Sequence, residues 1–170
     1  MATPGPRMLN TANRGLFWVP SIADLNAPTA AEVNAGINLT CRVTVANYQF
    51  GITGNSRITD AAACDKIESD VPGRATVEAR FDMFRFKNTV DDVAWTTFDG
   101  ANIFGHLVER IGQIADGEDQ ETAPVKVGDE VTVASVLTHD QIPLAPSTEG
   151  YEKFGQPFSI QGFKARALVA

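Results

Sequence analysis

Residues 75–86 read ATVEARFDMFRF, and the chain's fold class turns on them. Val77, Ala79, Phe81 and Met83 fall on one side of an extended chain. Thr76, Glu78, Arg80 and Asp82 fall on the other. A period of two is the mark of a half-buried β-strand, because successive side chains leave opposite faces of the pleat. The alternation fails at Met83–Phe84, where a bulge or a change of packing partner is expected. Just upstream, Val71-Pro72-Gly73-Arg74 has the type II turn signature, with proline at the second position and glycine at the third. The reading therefore predicts a hairpin whose first strand is KIESD (66–70).

Working outward, NLTCRVTVANY (38–48) alternates in the same way, with Leu39, Cys41, Val43 and Val45 on one face, and is predicted as a strand. Residues 49–65, polar and glycine-containing, are predicted as a long connection, of a length that often carries function. NIFGHLVERI (102–111), EVTVASVLTHDQ (130–141) and GQPFSIQGFKARALV (155–169) read as strands, and 112–124 as an exposed loop. Two short helices break the pattern. Thr29 to Glu32 has capping-box spacing, which predicts a helix over about 30–35 ending at Gly36 in the left-handed conformation. Residues 88–100 suggest a second, capped by Asn88 or Thr89, with Val90, Ala94 and Phe98 at four-residue spacing. Six or seven strands and one or two short helices make a mainly β fold. The expectation is a β-sandwich or partial barrel of antiparallel strands with one or two short flanking α-helices.

At 170 residues, 44% hydrophobic and 21% charged, the chain suits one globular domain. Residues 1–15, with two prolines and few apolar groups, are predicted as an extended N-terminal arm, and 16–170 as the single domain. A basic start followed by an apolar run is missing, as is any stretch near membrane-spanning length, so a cytosolic protein is expected. The net charge of −7 is concentrated in residues 88–121, where eight acidic side chains face Arg110 alone. An acidic chain without a basic stripe is a poor grip for nucleic acid.

Chemistry is hard to find. His106 and His139 stand in predicted strands without a second ligand at metal spacing, and are expected to be structural. Cys41 and Cys64 are too few for a disulfide framework and are expected to be buried or half-buried thiols. Nucleophile elbow, phosphate loop and HExxH patterns are all missing. The acidic run 116–121 lacks EF-hand spacing. The expectation is a protein that is not an enzyme, with no catalytic residue, metal or cofactor.

One segment is distinctive. Residues 16–40 read LFWVPSIADLNAPTAAEVNAGINLT. Trp18-Val19-Pro20, Ile22-Ala23, Ala27-Pro28-Thr29, Glu32-Val33-Asn34-Ala35-Gly36 and Leu39-Thr40 resemble the N-terminal part of the major tail protein, or tail tube protein, of long non-contractile-tailed bacteriophages, particularly those of actinobacterial hosts. Pro72-Gly73-Arg74 and Ala94-Trp95-Thr96-Thr97 are more generic matches. Residues 113–124 depart from the pattern as a local insertion.

The resemblance implies two antiparallel sheets with a flanking helix. It implies a structural virion protein whose hexameric rings stack into a hollow tail tube, the conduit for genome delivery. Its partners would be further copies of itself, a tape measure protein and a tail terminator, with DNA passing through without specific binding and no membrane contact. The protein would reside in the virion tail after assembly in the host cytoplasm. The implied assembly surface is assigned to Phe17, Trp18 and Pro20, and to Phe50, Ile52, Arg57 and Ile58 in the 49–65 segment, expected to order against the next ring. Glu78 and Asp82 are the candidates for the channel lining, because a passage for DNA should repel phosphate weakly. A sandwich-type binding module for carbohydrate or receptor, and another tail component such as a terminator ring protein, stand as alternatives.

Overall fold

The computed structural model describes residues 8, 10, 12–59, 64, 70–115, 117–145 and 150–170. In chain order the elements are β1 (Arg14–Val19), α1 (Ala30–Asn34), β2 (Ile37–Asn38), a 3-10 turn (Thr40–Arg42), β3 (Gln49–Thr59), β4 (Asp70–Phe84), α2 (Val93–Thr97), β5 (Phe104–Ile111), β6 (Glu130–Thr138), β7 (Ile142–Pro143) and β8 (Lys153–Leu168). The fold is mainly β with two short helices, as the alternation predicts. All strands join one antiparallel sheet in the order β2-β1-β5-β6-β8-β4-β3, with β7 pairing β8.

The sheet curls without closing. β1 and β8 are three strand steps apart, which in a flat sheet is about 14 Å. Yet the Trp18 and Phe158 rings have centroids 6.1 Å apart, with Phe98 edge-on to both at 5.0 and 5.4 Å. The two layers expected of a sandwich are thus halves of one bent sheet, wrapped around Leu16, Trp18, Phe81, Met83, Leu107, Phe154 and Phe158. A bridge from Val43 to Met83, with Thr44 N donating to Asp82 O at 2.8 Å, ties the segment after β2 to β4 across the open side of the curl. The opposite face of β1, β5 and β6 carries a second core of Phe17, Val19, Val108, Val131 and Val133, covered by Val33 of α1 and by Val125.

Helix α1 forms where the capping box places it. Thr29 Oγ1 accepts from Glu32 N, and the Glu32 carboxylate accepts from Thr29 N at 2.8 Å. Three backbone and hydroxyl donors from Thr29 and Ala23 hold that carboxyl below its usual range, the Thr29 backbone bond contributing most. Gly36 does not take the left-handed conformation; the helix ends on right-handed Ala35. Its lack of a side chain serves close packing instead, since a Cβ there would lie 2.6 Å from Trp18 O. Helix α2 begins later than expected, after Asp92, whose carboxylate is taken by Arg85 Nε and Phe86 N. Ala94 and Phe98 are buried as the spacing predicts, whereas Val90 is exposed.

Three expected elements differ. Residues 38–48 are not one strand: β2 stops after two residues because Asn38 Oδ1 accepts from Thr40 N and Thr40 Oγ1 accepts from Leu16 N. Side-chain capping of this kind diverts the backbone from the ladder. Residues 49–59 are a long strand rather than a connection, and Val71-Pro72-Gly73-Arg74 lies within β4 rather than at a turn. Thr59 pairs with Asp70, so the hairpin reverses between them, and most of the predicted strand 66–70 falls outside the described residues. Of the predicted arm, 1–7, 9 and 11 likewise fall outside them, while Arg14 and Gly15 already belong to β1.

Trp18 is 3% exposed and sits where the two halves of the curl meet. Trp18→Ala is expected to cost about 3–5 kcal/mol, measured by urea denaturation; an unchanged midpoint would remove it from the core.

Candidate assembly surface

Among the described residues, no group of three or more His, Cys, Asp and Glu side chains converges as a metal site would require. His106 is buried, with Nδ1 3.3 Å from Val19 O, and burial lowers its pKa and keeps it neutral. His139 Nε2 meets Ser159 Oγ at 2.7 Å. Both cysteines are free and exposed, contrary to the expectation of burial. Cys41 Sγ donates to Glu121 Oε2, and partial burial together with that carboxylate pushes the thiol's pKa up, which opposes thiolate chemistry. No helix is long and apolar enough to cross a membrane.

The unusual surface belongs to the β3–β4 hairpin. β4 pairs with β8 only from Ala79↔Phe158 to Phe84↔Lys153. Beyond Ala79 it continues back to Asp70, paired with β3 alone. The hairpin therefore leaves the body as a two-stranded projection, roughly 30 Å long over nine residues of β4. Gly51 stands at its root with φ +128°, a backbone region that L side chains rarely adopt, opposite Glu78.

On β4, Val77 and Ala75 continue the row of Ala79 and Phe81, and register shifts at Ile52/Gly54 and Asn55/Arg57 break the alternation beyond them. Ile58 pairs with Val71 and Ile52 with Val77. Ile52, Ile58 and Val71 are 54%, 59% and 61% exposed. Thr76 and Glu78 lie on the opposite side of β4 from Val77, and farther out Arg57 and Asp70 form a 3.3 Å surface ion pair. Branched apolar side chains left in water cost about 25 cal/mol per Å2, which makes the hairpin the candidate contact surface.

A second feature lies at the open end of the curl. Glu109 Oε1 accepts from Arg14 Nη1 at 2.7 Å and from the Tyr48 hydroxyl at 2.8 Å. Burial and that carboxylate drive the Tyr48 pKa strongly upward, so the phenol remains a donor. On the opposite face of β5, Arg110 is fully buried. Its guanidinium donates to Gln120 Oε1, Pro124 O, Ala123 O and Asp129 Oδ2 at 2.8–3.4 Å. Loop 112–124 is thus not merely an exposed excursion: Gln120 and Ala123 are buried, and Asn34 of α1 pairs with both backbone groups of Val125 at 2.8 Å. Leu16, Val43, Tyr48, Asp119 and Glu121 help to line an open groove of about 520 Å3 between this loop and β1.

The residues expected at the assembly surface divide. Phe17 and Trp18 are buried in the two cores and Phe50 is half-buried, whereas Pro20, Ile52, Arg57 and Ile58 are exposed. Glu78 is exposed. Asp82 is 5% exposed, accepts from Asn47 Nδ2 at 2.7 Å, and has Oδ1 without a hydrogen-bond partner. Val71 was not identified from the sequence, because the turn signature at Pro72-Gly73 set it outside the strand; Val77, read in one row with Ala79, was not singled out as contact surface. Glu109 and Arg110 were missed as well; two opposite charges adjacent within an apolar strand were the available signal.

Replacing the fully buried Arg110 by methionine should leave Gln120 Oε1 and the Ala123 and Pro124 carbonyls without their donor and the Asp129 carboxylate with Lys126 N in place of the guanidinium, costing about 3–5 kcal/mol. It should also open 113–124 to limited proteolysis; a stable, protease-resistant variant would contradict its anchoring role.

The whole chain, residues 1–170, matches the family model described as phage tail tube protein. A search of curated proteins returned no match.

Proposed function

The chain belongs to the phage tail tube protein family, a structural and non-enzymatic family whose members assemble into the tube of the virion tail, and from this premise we propose how it does so. Six copies form a ring, and rings stack into the tube of a long non-contractile tail that delivers the genome. The observation that carries this reading is the β3–β4 hairpin, with Ile52, Ile58 and Val71 uncovered in the single subunit. A second copy is the partner that an identical-subunit polymer supplies. Assembly takes place in the host cytoplasm, on a tape measure protein that sets length and against a terminator that ends the tube. The N-terminal arm contributes contacts between copies.

Glu78 lies on the polar face of β4 at the root of the hairpin and is exposed. We assign it, rather than buried Asp82, to the channel wall. A carboxylate there repels phosphate weakly and keeps DNA hydrated, whereas several cations would bind it with steep salt dependence. Glu78→Lys is expected to leave tubes intact and slow genome ejection, more at low salt where screening is weak. Unchanged ejection kinetics at both ionic strengths would contradict the assignment.

The assembly itself is tested by replacing residues 52–77 with a two-residue Asn-Gly turn. The expected product is a folded monomer that forms no tubes by negative-stain microscopy, while the intact protein does. Long tubes from the truncated protein would refute the hairpin's role.

A further inference from the structure

Asp82 is a buried carboxylate with part of its hydrogen-bonding capacity unused. It is 5% exposed, Oδ2 accepts from Asn47 Nδ2 at 2.7 Å, and Oδ1 has no partner. Its backbone carbonyl accepts from Thr44 N at 2.8 Å. Asp82 therefore ties residues 44–47, which lead into β3, to the part of β4 that β8 still holds. A charge withdrawn from water is costly unless its partners are complete, so the open oxygen calls for a cation.

Arg80 is the cation in reach. Side chains two apart on a strand leave the same face, and Asp82 lies opposite Gly155 of β8. A Cβ added at Gly155 would stand 3.5 Å from Asp82 Oδ1, 3.6 Å from Arg80 Nη2 and 3.7 Å from a methyl of Leu144. Carboxylate and guanidinium thus border one methyl-sized space that the glycine leaves free. Arg80 is exposed, lines an open pocket of about 380 Å3 with Asn47, Tyr48 and Gln49, and makes no ion pair among the described residues. Lys153, the next cation along β8, is engaged elsewhere, with Nζ 5.6 Å from the Phe84 ring centroid.

We infer that Arg80 closes across Gly155 onto Asp82 Oδ1 and latches the root of the hairpin. An exposed side chain changes rotamer within nanoseconds, so closure needs no backbone movement. Arg80 is opposite Gln49 in the β3–β4 ladder and opposite Pro157 in the β4–β8 ladder, which places the latch on the rung where the hairpin leaves the body. Closed, it completes the partners of Asp82 and fixes residues 44–50 against β4. Its use rests on the tube reading above: a polymer joined through the hairpin needs the same projection angle from every copy.

Hydrogen exchange read by mass spectrometry on free subunits tests the latch. Arg80→Gln, Asp82→Asn and Gly155→Ala should each speed exchange in peptides covering 44–50, roughly tenfold. Asp82→Asn keeps an acceptor for Asn47, and a methyl at Gly155 makes only ordinary contacts while filling the space that closure needs. The Arg80→Gln/Asp82→Asn double variant should exchange no faster than either single one, because both remove the same contact. Exchange in Arg80→Gln equal to that of the intact protein, or single effects that add, means that Asp82 is completed by water instead and overturns the latch. Negative-stain microscopy then tests its use: Arg80→Gln should yield severalfold fewer tubes and Arg80→Lys should recover them, and equal yields from all three proteins overturn the link to assembly. Failure of the intact protein to form tubes overturns the tube reading alone, since the exchange result stands on the free subunit.

Discussion

Adjacent residues on β5 hold the subunit's two faces. Glu109 and Arg110 follow each other in the chain, so their side chains leave on opposite sides of the sheet. Glu109 gathers Arg14 from β1 and Tyr48 from the residue before β3, the two flanks of the unclosed seam. Arg110 gathers Gln120, Ala123, Pro124 and Asp129, and so holds the loop that covers the outer core beside Phe17. Burying a charge is expensive unless its partners are complete. Here each charge has its partners, those of Glu109 from segments distant in the chain and those of Arg110 from the loop that follows it. The curl, the seam and the covering loop depend on these two side chains being satisfied at once. What the pair leaves free is the hairpin, which starts one residue after Tyr48.

Most of the scaffold was legible. β5, β6 and β8 are apolar runs of strand length, and β4 alternates, so their existence followed from period and burial alone. The Thr29–Glu32 box is a local interaction that needs no tertiary context, and it forms as read. The errors have physical causes too. At 38–42, alternation pointed to a strand, but Asn38 and Thr40 satisfy nearby backbone groups through their side chains and turn the chain into a 3-10 turn. At 49–59 the polar and glycine residues concealed a strand, because neither face is buried in one subunit and the usual hydrophobic signal is therefore absent. At 71–74 a local turn signature lost to the ladder with β3, where register shifts near Ile52/Gly54 and Asn55/Arg57 accommodate Pro72 at an edge.

The proposed assembly surface was legible only in part, for a related reason. Phe17 and Trp18 are the most conspicuous apolar side chains of the distinctive segment, and they belong to the subunit's own cores. Ile52, Arg57 and Ile58 are inconspicuous in sequence and project into solvent. A polymer-forming surface must be soluble before assembly, so it spaces single aliphatic side chains among polar ones instead of massing aromatics. Side chains that look like anchors in such a chain tend to be core, and the contact surface resembles a loop.

The account's central claim is that the hairpin is the joint between copies. An electron cryo-microscopy reconstruction of the assembled tube tests it most directly. It should show rings of six in which Ile52, Ile58 and Val71 of every copy are covered by a neighbouring subunit. A tube in which these side chains face solvent or the channel while the copies are joined elsewhere would contradict it.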